Sequence, residues 1–343
     1  MIGTNTSENK LLLDIDRYSI FESRNTKKLK PLTMKLLRLL LMLVMIIATS
    51  ASVQAKKVLL KYKLEPGMEI TLLHSLNQEV VQEVMGQSQV IEFINTTRYL
   101  FKILEKTNEG YYLIELQADG MKMKMENDFM NIDYDSDRDE EPPADLKSMA
   151  AGLHIPVKFL LNTKGEIVEV TEAEQYLSVM AKALEGVEGP MKQMMAGVAT
   201  QSTSIEGLKN LFGRLFFNYP EGKVKIGDSW IHESESMQMV KFKNIIENTL
   251  VEANKKEATI KQTVRIEQLE MGDGMEMQGM SMKFELSGTK DAGYQLDVET
   301  GLIIKLDAVT NISGIISIES PQLPSPMSIP MTIKMTESLE QLK

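Results

Sequence analysis

The chain contains no cysteine, only three histidines and a single tryptophan among its 343 residues. Without cysteine it can form neither disulfides nor thiolate metal sites, and it lacks the lipidated cysteine that anchors a bacterial lipoprotein. The histidines, His74, His154 and His232, lie far apart and show no metal-ligand spacing. We therefore predict ordinary strand or loop histidines, no cofactor, and an exported form that is soluble.

Catalytic motifs are also missing from the sequence. There is no G-x-S-x-G elbow, no H-E-x-x-H, no glycine-rich phosphate loop and no dinucleotide fingerprint. The total charge of −10 includes +4 from the first 55 residues, so residues 56–343 carry −14. A protein region this acidic is not expected to bind the phosphate backbone of a nucleic acid, because like charges repel. We predict a protein that is not an enzyme and does not bind nucleic acid.

Residues 34–55 have the pattern of a secretory signal peptide. A basic start at Met34–Arg38 precedes an apolar run from Leu39 to Ala48, and Val53 and Ala55 suit a cleavage site. The apolar run is shorter than the roughly 20 residues that span a membrane. We expect cleavage near Ala55, a periplasmic or secreted protein, and membrane contact only through the signal peptide before cleavage. Because a basic region normally begins such a protein, residues 1–33 are predicted to be a mispredicted extension ahead of the true start at Met34.

Alternating apolar residues predict an α+β fold that is mostly β. Residues 56–170 and 218–343 are expected to form two antiparallel β-rich halves, with a helical segment, 171–217, between them. In the first half, strands are predicted at Ile70–Leu76, Gln89–Phe93 and Arg98–Leu104. Each half opens on a glycine turn and closes on a glycine hairpin, at Gly67 and Gly165, then at Gly227 and Gly301. This parallel suggests a duplication, although any antiparallel protein repeats glycine turns.

The segment 171–217 is predicted to contain amphipathic helices. Thr171 with Glu174, and Thr203 with Glu206, have the spacing of capping boxes. The apolar faces that follow are too wide for a solvated linker, so we expect them to pack on the sheets. Any ligand is expected beneath four apolar side chains of the second helix. They are Leu208, Leu211, Phe212 and Leu215.

Methionine is abundant, with 25 residues, and two runs have M-x-M spacing. They are Met121, Met123 and Met125, and then Met275, Met277, Met280 and Met282. Thioethers are soft ligands that can bind Cu(I) in an exported protein. Methionine is equally suited to fill cores or to line adaptable apolar surfaces. Core packing or an apolar groove is the favoured interpretation, and a copper site stays open.

An acidic stretch, Asp133–Asp145, has Asp-x-Asp-x-Asp spacing similar to a calcium loop. However, Arg138 stands at the sixth position, where such loops need glycine, and Ala144 stands at the twelfth, where they need a bidentate glutamate. A solvated charged loop is the favoured interpretation, and weak calcium binding stays open.

Short turn motifs carry a family resemblance. Tyr62, Leu64 and Gly67, the Gly165-x-Ile167 hairpin, and Gly227 to Trp230 (Gly-Asp-Ser-Trp) resemble an uncharacterised family of secreted bacteroidete proteins, known only as a domain of unknown function. The resemblance covers about Val58 to Leu342 and implies no catalytic residues. At the level of fold, a curved antiparallel sheet with helices on one face is also similar to periplasmic lipoprotein-carrier folds, which implies a concave apolar surface.

Three hypotheses follow from the sequence. The first is a periplasmic protein that binds an apolar ligand or an envelope partner. The second is a structural or assembly factor of the cell envelope that binds no small ligand. The third is a methionine-based copper-binding protein.

Overall fold

The structure is a computed structural model that describes residues 57–84, 86–126, 131–143, 146–185, 203–237, 240–269, 275–277, 280–321 and 325–342. The predicted extension 1–33 and signal peptide 34–55 lie outside the described residues. The described residues belong to one compact unit, Lys56–Lys343. None of the described helices is long and apolar enough to cross a membrane.

Antiparallel strands dominate the chain, which confirms the prediction of a mostly β fold. The strands are β1 (Glu69–Val84), β2 (Gln87–Lys106), β3 (Tyr112–Glu126), β4 (Asn131–Asp135), β5 (Val157–Leu161), β6 (Ile167–Glu172), β7 (Ser229–Met237), β8 (Lys241–Ala253), β9 (Glu257–Gln268), β10 (Met275–Met277), β11 (Met280–Asp297), β12 (Ile303–Glu319) and β13 (Met327–Leu342). The helices are α1 (Lys147–Ala150), α2 (Glu174–Glu185) and α3 (Ile205–Gly213).

The strands of the described residues form one sheet in the order β6-β5-β3-β2-β1-β13-β12-β11-β9-β8-β7, with β4 paired to β3 and β10 paired to β11. The two predicted halves are joined because β1 pairs with β13, in register from Thr71 opposite Leu342 to Gln82 opposite Met331. The first and last strands therefore lie together at the centre of the sheet. Each half is a meander running outward from this central pair.

Side chains alternate between a buried and an exposed face along these strands. In β9, Ala258, Ile260, Gln262, Val264 and Ile266 are buried, while the residues that alternate with them are partly or fully exposed. We call the buried face of the sheet the core face and the other the opposite face. Because a strand has a period of two, this pattern fixes which residues of each paired strand share the core face.

The turns that open the two halves have the same hydrogen-bond pattern. Gly67 N–H donates to the carbonyl of Ile103 at 2.8 Å, and Gly227 N–H donates to the carbonyl of Leu250 at 2.8 Å. In return, the N–H of Ile103 donates to the carbonyl of Met68, and the N–H of Leu250 donates to the carbonyl of Asp228. Both glycines have positive φ, at 89° and 90°, a conformation that other residues rarely adopt.

The helices begin later than the capping patterns predicted. Thr171 lies in β6 and α2 begins at Glu174, so the first predicted capping box is wrong. For α3 the cap is Ser204, whose Oγ accepts a hydrogen bond from Gly207 N–H at 3.0 Å, and not Thr203. Serine is a somewhat stronger N-cap than threonine, and Ser204, one position later, has the extended backbone and the side-chain hydrogen bond of a cap.

Tyr62 connects the two halves at the end of the sheet nearest α3. Its hydroxyl accepts a hydrogen bond from the buried Phe217 N–H at 2.8 Å, and its own carbonyl accepts one from Tyr112 Oη at 3.2 Å. Nearby, Val58 and Val224 form an antiparallel bridge between the segments that enter each half. The resulting core contains aromatic rings from the sheet and from the chain that follows α3.

Candidate functional site

The four residues predicted to lie above a ligand belong to a tightly packed apolar cluster. Leu208, Phe212 and Leu215 are buried, and Leu211 packs against them while partly exposed. The ring of Phe212 stacks on Phe159 of β5 with the centroids 6.5 Å apart. We call this cluster the roofed cluster, because α3 and the chain after it cover the sheet here.

Among the described residues, one small cavity lies within the roofed cluster. Its volume is about 10 Å³, and it lies between the sheet and the chain after α3, beside Tyr62, Leu215 and Phe216. That volume is about enough for one water molecule. A ligand could enter this part of the core only if α3 moved away from the sheet.

A charged cluster lies next to the roofed cluster on the core face. It consists of His74 on β1, Lys290 on β11 and Glu337 on β13, and we call it the ionic triad. Lys290 Nζ donates to Glu337 Oε2 at 2.6 Å, and His74 Nε2 lies 2.9 Å from Glu337 Oε1. The exposed fractions of these side chains are only 9% for His74, 16% for Glu337 and 22% for Lys290.

Both charged members of the ionic triad are stabilised in their ionised forms. Burial by itself would raise the pKa of Glu337, but the hydrogen bond from His74 and the charge of Lys290 outweigh it and hold that pKa well below its usual range. Burial would likewise lower the pKa of Lys290, yet the charge of Glu337 prevails and raises it. The pair is therefore ionised at neutral pH.

The ionic triad separates two apolar parts of the core face. Along β13, Glu337 stands between Leu339, in the roofed cluster, and Met335, which packs against a second cluster. Along β11 the order is the same: Lys290 stands between Ala292, in the roofed cluster, and Leu286, in the second cluster. A polar band thus crosses the sheet between two apolar regions.

The second apolar region draws its residues from the sheet. We call it the sheet cluster; its members are Val240, Phe242, Val264, Ile266, Phe284, Leu286, Ile312, Ile316, Ile329 and Met331. All of them lie in strands except Val240, which directly precedes β8. No residue of the described helices belongs to it. Met282, Met327 and Met335 pack against it, and such flexible side chains adapt to differently shaped partners.

The polar band continues toward the edge strand β7. Gln262 donates to the Oδ1 of the fully buried Asn248 at 2.9 Å, and Asn248 Nδ2 lies 3.5 Å from His232 Nδ1. Burial lowers the pKa of His232, so its ring is neutral at pH 7. Among the described residues, the indole N–H of Trp230 is a buried donor without an acceptor. A bound water molecule would satisfy that donor.

Arg214 directly follows α3. Its backbone N–H caps the helix by donating to Phe212 O, and the residue is exposed. Among the described residues its guanidinium has no hydrogen-bond or ion-pair partner. Burial and the charge of Glu337 dominate the pKa of Lys290, and the charge of Arg214 makes only a small contribution in the lowering direction.

The two methionine runs lie in different parts of the sheet. Met121 and Met123 are buried beside Ile132 and Tyr134, with Met125 packed against them. Met282 belongs to the surroundings of the sheet cluster, and Met275 and Met277 are register partners of Met282 and Met280. Four strands, β2, β1, β13 and β12, separate β3 from β11. The structure therefore does not bring the seven methionines together.

The acidic stretch is paired with cations. Arg98 contacts Asp137 through both terminal nitrogens, at 2.9 and 3.0 Å, and Lys122 Nζ lies 2.8 Å from Asp135. Arg138 pairs with Asp133 at 3.0 Å and with Asp139 at 2.8 Å. The hydrogen bond from Arg138 lowers the pKa of Asp139 to about 2. Asp145 lies outside the described residues, and no group of three or more potential ligands among the described residues could hold a metal ion.

The opposite face carries a depression of about 560 Å³ over the central strands. Small side chains such as Ser75, Gly293 and Ser338 leave this space, and Asp291 and Lys261 stand at its border. It is open to solvent, and its lining is mostly apolar, with charged groups at the border. None of the residues predicted to bind a ligand lies in it.

Sequence reasoning missed the ionic triad. The prediction of ordinary strand or loop histidines includes His74, and no sequence pattern singles out Lys290 or Glu337. Each of the three occupies an inward position of an alternating strand, as Glu337 does between Met335 and Leu339. In a strand whose alternate residues are apolar, a charged residue at one of the apolar positions is the sequence signal that marks a buried charge.

A model of a family of unknown function (DUF6263) matches residues 109–303. The expected resemblance to an uncharacterised family is thereby confirmed, while the bacteroidete origin stays a prediction. No curated protein matches the chain.

Three solved structures show weak similarity. Lipovitellin, in a structure of lipid–protein interactions, is 10% identical, with a TM-score of 0.40 over 82% of this chain and 26% of that one. The translocator domain of the autotransporter NalP from Neisseria meningitidis is 8% identical, with a TM-score of 0.18 over 81% and 90%. OccK11 (OpdR) from Pseudomonas aeruginosa is 7% identical, with a TM-score of 0.18 over 82% and 100%. The chain thus spans about a quarter of the lipovitellin chain, and none of these TM-scores establishes a shared fold.

Proposed function

The chain belongs to a family of unknown function (DUF6263), whose membership assigns no activity, and we propose that it is an exported, non-catalytic protein that binds an apolar ligand on the core face of its sheet. The sheet cluster is the observation that carries this proposal. Nine buried apolar residues on five neighbouring strands, together with Val240 directly before β8, make up this cluster, and no described helix contributes to it. An apolar surface built in this way suits an alkyl or acyl chain.

The position of the ligand differs from the sequence-based expectation. The sequence predicts it beneath Leu208, Leu211, Phe212 and Leu215, and of these four residues only Leu215 lines the small cavity of about 10 Å³. The sheet cluster offers the alternative, because its neighbours include three methionines that can change rotamer at low cost. In this proposal α3 and the roofed cluster form the fixed end of the site.

Displacement of a neutral fluorescent probe, N-phenyl-1-naphthylamine, from the mature protein tests the proposal. Met335→Gln places an amide against the sheet cluster, and we expect it to weaken probe binding about tenfold because that amide loses its water. Thr332→Gln, on the exposed side of the same strand, is the matched control and should leave binding unchanged. If wild-type protein does not bind the probe, or if both variants behave alike, the proposal fails.

Export remains part of the proposal. It is supported by the pattern of residues 34–55, and the mature protein is then expected to begin at Lys56. Intact mass and N-terminal sequencing of protein recovered from the periplasm or medium check both the cleavage site and the start at Met34. A species that retains residues before Met34 would contradict the predicted start.

An envelope partner without a small ligand is the second candidate. It is favoured by β7, which among the described strands pairs with β8 alone and so presents a free edge. Ile231 on this strand is 64% exposed. Exposed edges of this kind accept an added strand from a partner. Copper has less support, because Met121 and Met123 pack against apolar neighbours away from the second run.

We also propose that the two halves arose by duplication. The matching hydrogen bonds at Gly67 and Gly227 support this origin, as do the closing hairpins. Asn162 and Asp297 each accept two backbone N–H bonds through one side-chain oxygen, before Gly165 and Gly301 respectively. Shared glycine turns alone are common, whereas shared turn hydrogen bonds at both ends of each half are more specific.

A further inference from the structure

We infer that β7 binds an extended, positively charged segment of another protein, which adds to the sheet as a further strand. This inference rests on the second candidate function, an envelope partner, and it does not require the apolar ligand. It adds the chemical class of the partner segment and the residues of β7 that bind it.

The strands at the two ends of the sheet differ in how well their free edges are protected. β6 is short, its pairing with β5 shifts register twice, and Lys209 Nζ from α3 donates to the carbonyl of Val168 at 3.0 Å. Bulges, lysines and covering helices keep an edge from pairing with another chain. β7 pairs with β8 in unbroken register from Ser229 to Met237, and its sequence contains neither lysine nor proline. Among the described strands with a single neighbour, β7 is the longest and the least protected.

The pairing with β8 determines which backbone groups of β7 point outward. Leu250 N–H donates to the carbonyl of Asp228 at 3.1 Å, so these two residues form a hydrogen-bonded pair. Antiparallel strands alternate between hydrogen-bonded and non-hydrogen-bonded pairs. The N–H and C=O groups of every second residue from Ser229 onward, Ile231 and Glu233 among them, therefore point away from β8. A strand added at this edge would form hydrogen bonds with these groups.

The side chains of the same residues determine the chemistry of the partner segment. Ile231 is 64% exposed, and the side chains of Glu233 and Glu235 are 58% and 59% exposed. Each glutamate pairs with a lysine of β8, but exposed pairs contribute little stability, so both carboxylates are able to contact further cations. Glu247, the register partner of Ile231, is exposed as well. An added strand with an apolar residue opposite Ile231 and basic residues opposite the two glutamates matches these positions.

A second copy of this chain matches the edge less well. In the symmetric antiparallel register that pairs all 9 residues of β7 with themselves, Glu233 would lie opposite Glu233 of the second copy. Like charges directly opposite each other are destabilising. The acidic charge of residues 56–343 adds repulsion between copies. Charge complementarity therefore favours a cationic segment of a different protein.

The test uses two capped peptides of the same length as β7 that differ only in charge. The basic peptide is Thr-Thr-Lys-Thr-Lys-Thr-Val-Val-Thr, and the acidic peptide has glutamate in place of each lysine. In antiparallel register the basic peptide places its lysines opposite Glu235 and Glu233 and a valine opposite Ile231. Fluorescence anisotropy of labelled peptides measures their binding to the mature protein. We expect the basic peptide to bind at least about tenfold more tightly, with a smaller preference at high salt.

Two changes remove a backbone hydrogen bond between the peptide and β7. Ile231→Pro removes an outward N–H without breaking the pairing with β8, so we expect it to abolish binding, whereas Ile231→Val should retain it. N-methylation of the second lysine of the basic peptide removes a donor on the peptide side. The methylated peptide should not bind wild-type protein, which tests the same contact without any change in the protein.

A third change removes charge alone. Glu233→Gln should weaken binding of the basic peptide about threefold, because one exposed carboxylate is lost. Glu285→Gln, at an exposed carboxylate on β11, is the matched control and should leave binding unchanged.

Each outcome decides a different claim. Equal binding of the two peptides would overturn the cationic class while the second candidate function stands. Binding that survives both Ile231→Pro and N-methylation would exclude β7 as the site. If neither peptide binds, the inference and the second candidate fail together, and displacement of N-phenyl-1-naphthylamine decides the apolar ligand separately. A dimer that Ile231→Pro converts to a monomer, measured by light scattering, would place a second copy on the edge and also overturn the inference.

Discussion

Glu337 carries a negative charge on a face that is otherwise apolar, and its partners make this possible. Because its pKa is depressed in the folded state, it stabilises the fold above the pKa of an unfolded glutamate and loses that contribution as pH falls. The raised pKa of Lys290 has the mirror-image effect, with stability lost as pH rises past the pKa of an unfolded lysine. The ion pair thus contributes across the window between those two values, about 4.3 and 10.4.

Replacing Glu337 tests this contribution. Glu337→Gln leaves Lys290 charged and unpaired, so we expect the free energy of unfolding at pH 7 to fall by about 3 kcal/mol. The difference from wild type should shrink as pH drops below about 4, where the native carboxylate also loses its advantage. Urea unfolding at a series of pH values measures it. The control is Glu285→Gln, an exposed carboxylate on β11, and a pH-independent loss at position 337 would contradict the account.

The hydroxyl of Tyr62 makes a second contribution at this scale. Tyr62→Phe removes the acceptor of the buried Phe217 N–H and leaves that donor unsatisfied, so we expect a loss of about 1 to 3 kcal/mol. Thermal unfolding measures the change, and Tyr111→Phe, at a partly exposed tyrosine, serves as control. Equal effects of the two changes would show that the hydrogen bond from Phe217 N–H to the Tyr62 hydroxyl does not contribute to stability.

Among the turns, the closing hairpin at Gly165 is constrained more than the turn at Gly110. Its φ is 98°, and a Cβ at this position would collide with the carbonyl oxygen of Phe217. Gly110 has a similar φ of 89° but open space around it. The same residue type therefore meets two different environments.

Alanine substitutions separate these two effects. At Gly110 only the strained backbone contributes, and we expect Gly110→Ala to cost about 1 kcal/mol. Gly165→Ala must also displace the chain after α3, so its cost should exceed that of Gly110→Ala by at least about 1 kcal/mol. Chemical denaturation of both variants gives the comparison. A smaller loss at Gly165 would mean that the contact between this hairpin and Phe217 is loose.

The acidic loop makes a prediction about cations. Four of its aspartates already have arginine or lysine partners, so calcium would have to break ion pairs in order to bind. We expect excess CaCl2 to leave the Tm unchanged relative to MgCl2 at equal ionic strength. Arg98→Gln, which frees Asp137, should lower the Tm slightly without creating a calcium response. A calcium-specific rise in the wild-type Tm would restore the calcium interpretation.

Local patterns in the sequence predicted the element types better than the element lengths. The glycine turns at Gly67, Gly165, Gly227 and Gly301 are where the patterns placed them. The predicted strands Ile70–Leu76, Gln89–Phe93 and Arg98–Leu104 fall within β1 and β2, which are much longer. Polar residues such as Asn77 and Thr96 interrupt the apolar alternation without interrupting pairing, because backbone hydrogen bonds to neighbouring strands continue through them.

At the scale of the whole molecule, pairing between distant parts of the chain was beyond a single sequence. The union of the halves depends on β1 meeting β13, and neither strand carries a turn signal that indicates the other. For the same reason the ionic triad could not be predicted from the sequence, since His74 and Glu337 are 263 positions apart. Their proximity follows from strand register, which is fixed only once the complete sheet order is known.

Ligand binding by the core face is the central claim, and native mass spectrometry of the mature protein tests it most directly. The protein is purified from the periplasm without organic solvent and sprayed from a volatile buffer. We predict a second mass series heavier than the polypeptide by a molecule that organic extraction removes, and a weaker series for Met335→Gln than for Thr332→Gln. A single series at the polypeptide mass, unchanged after incubation with hexadecanoate or hexadecanol, would contradict the account.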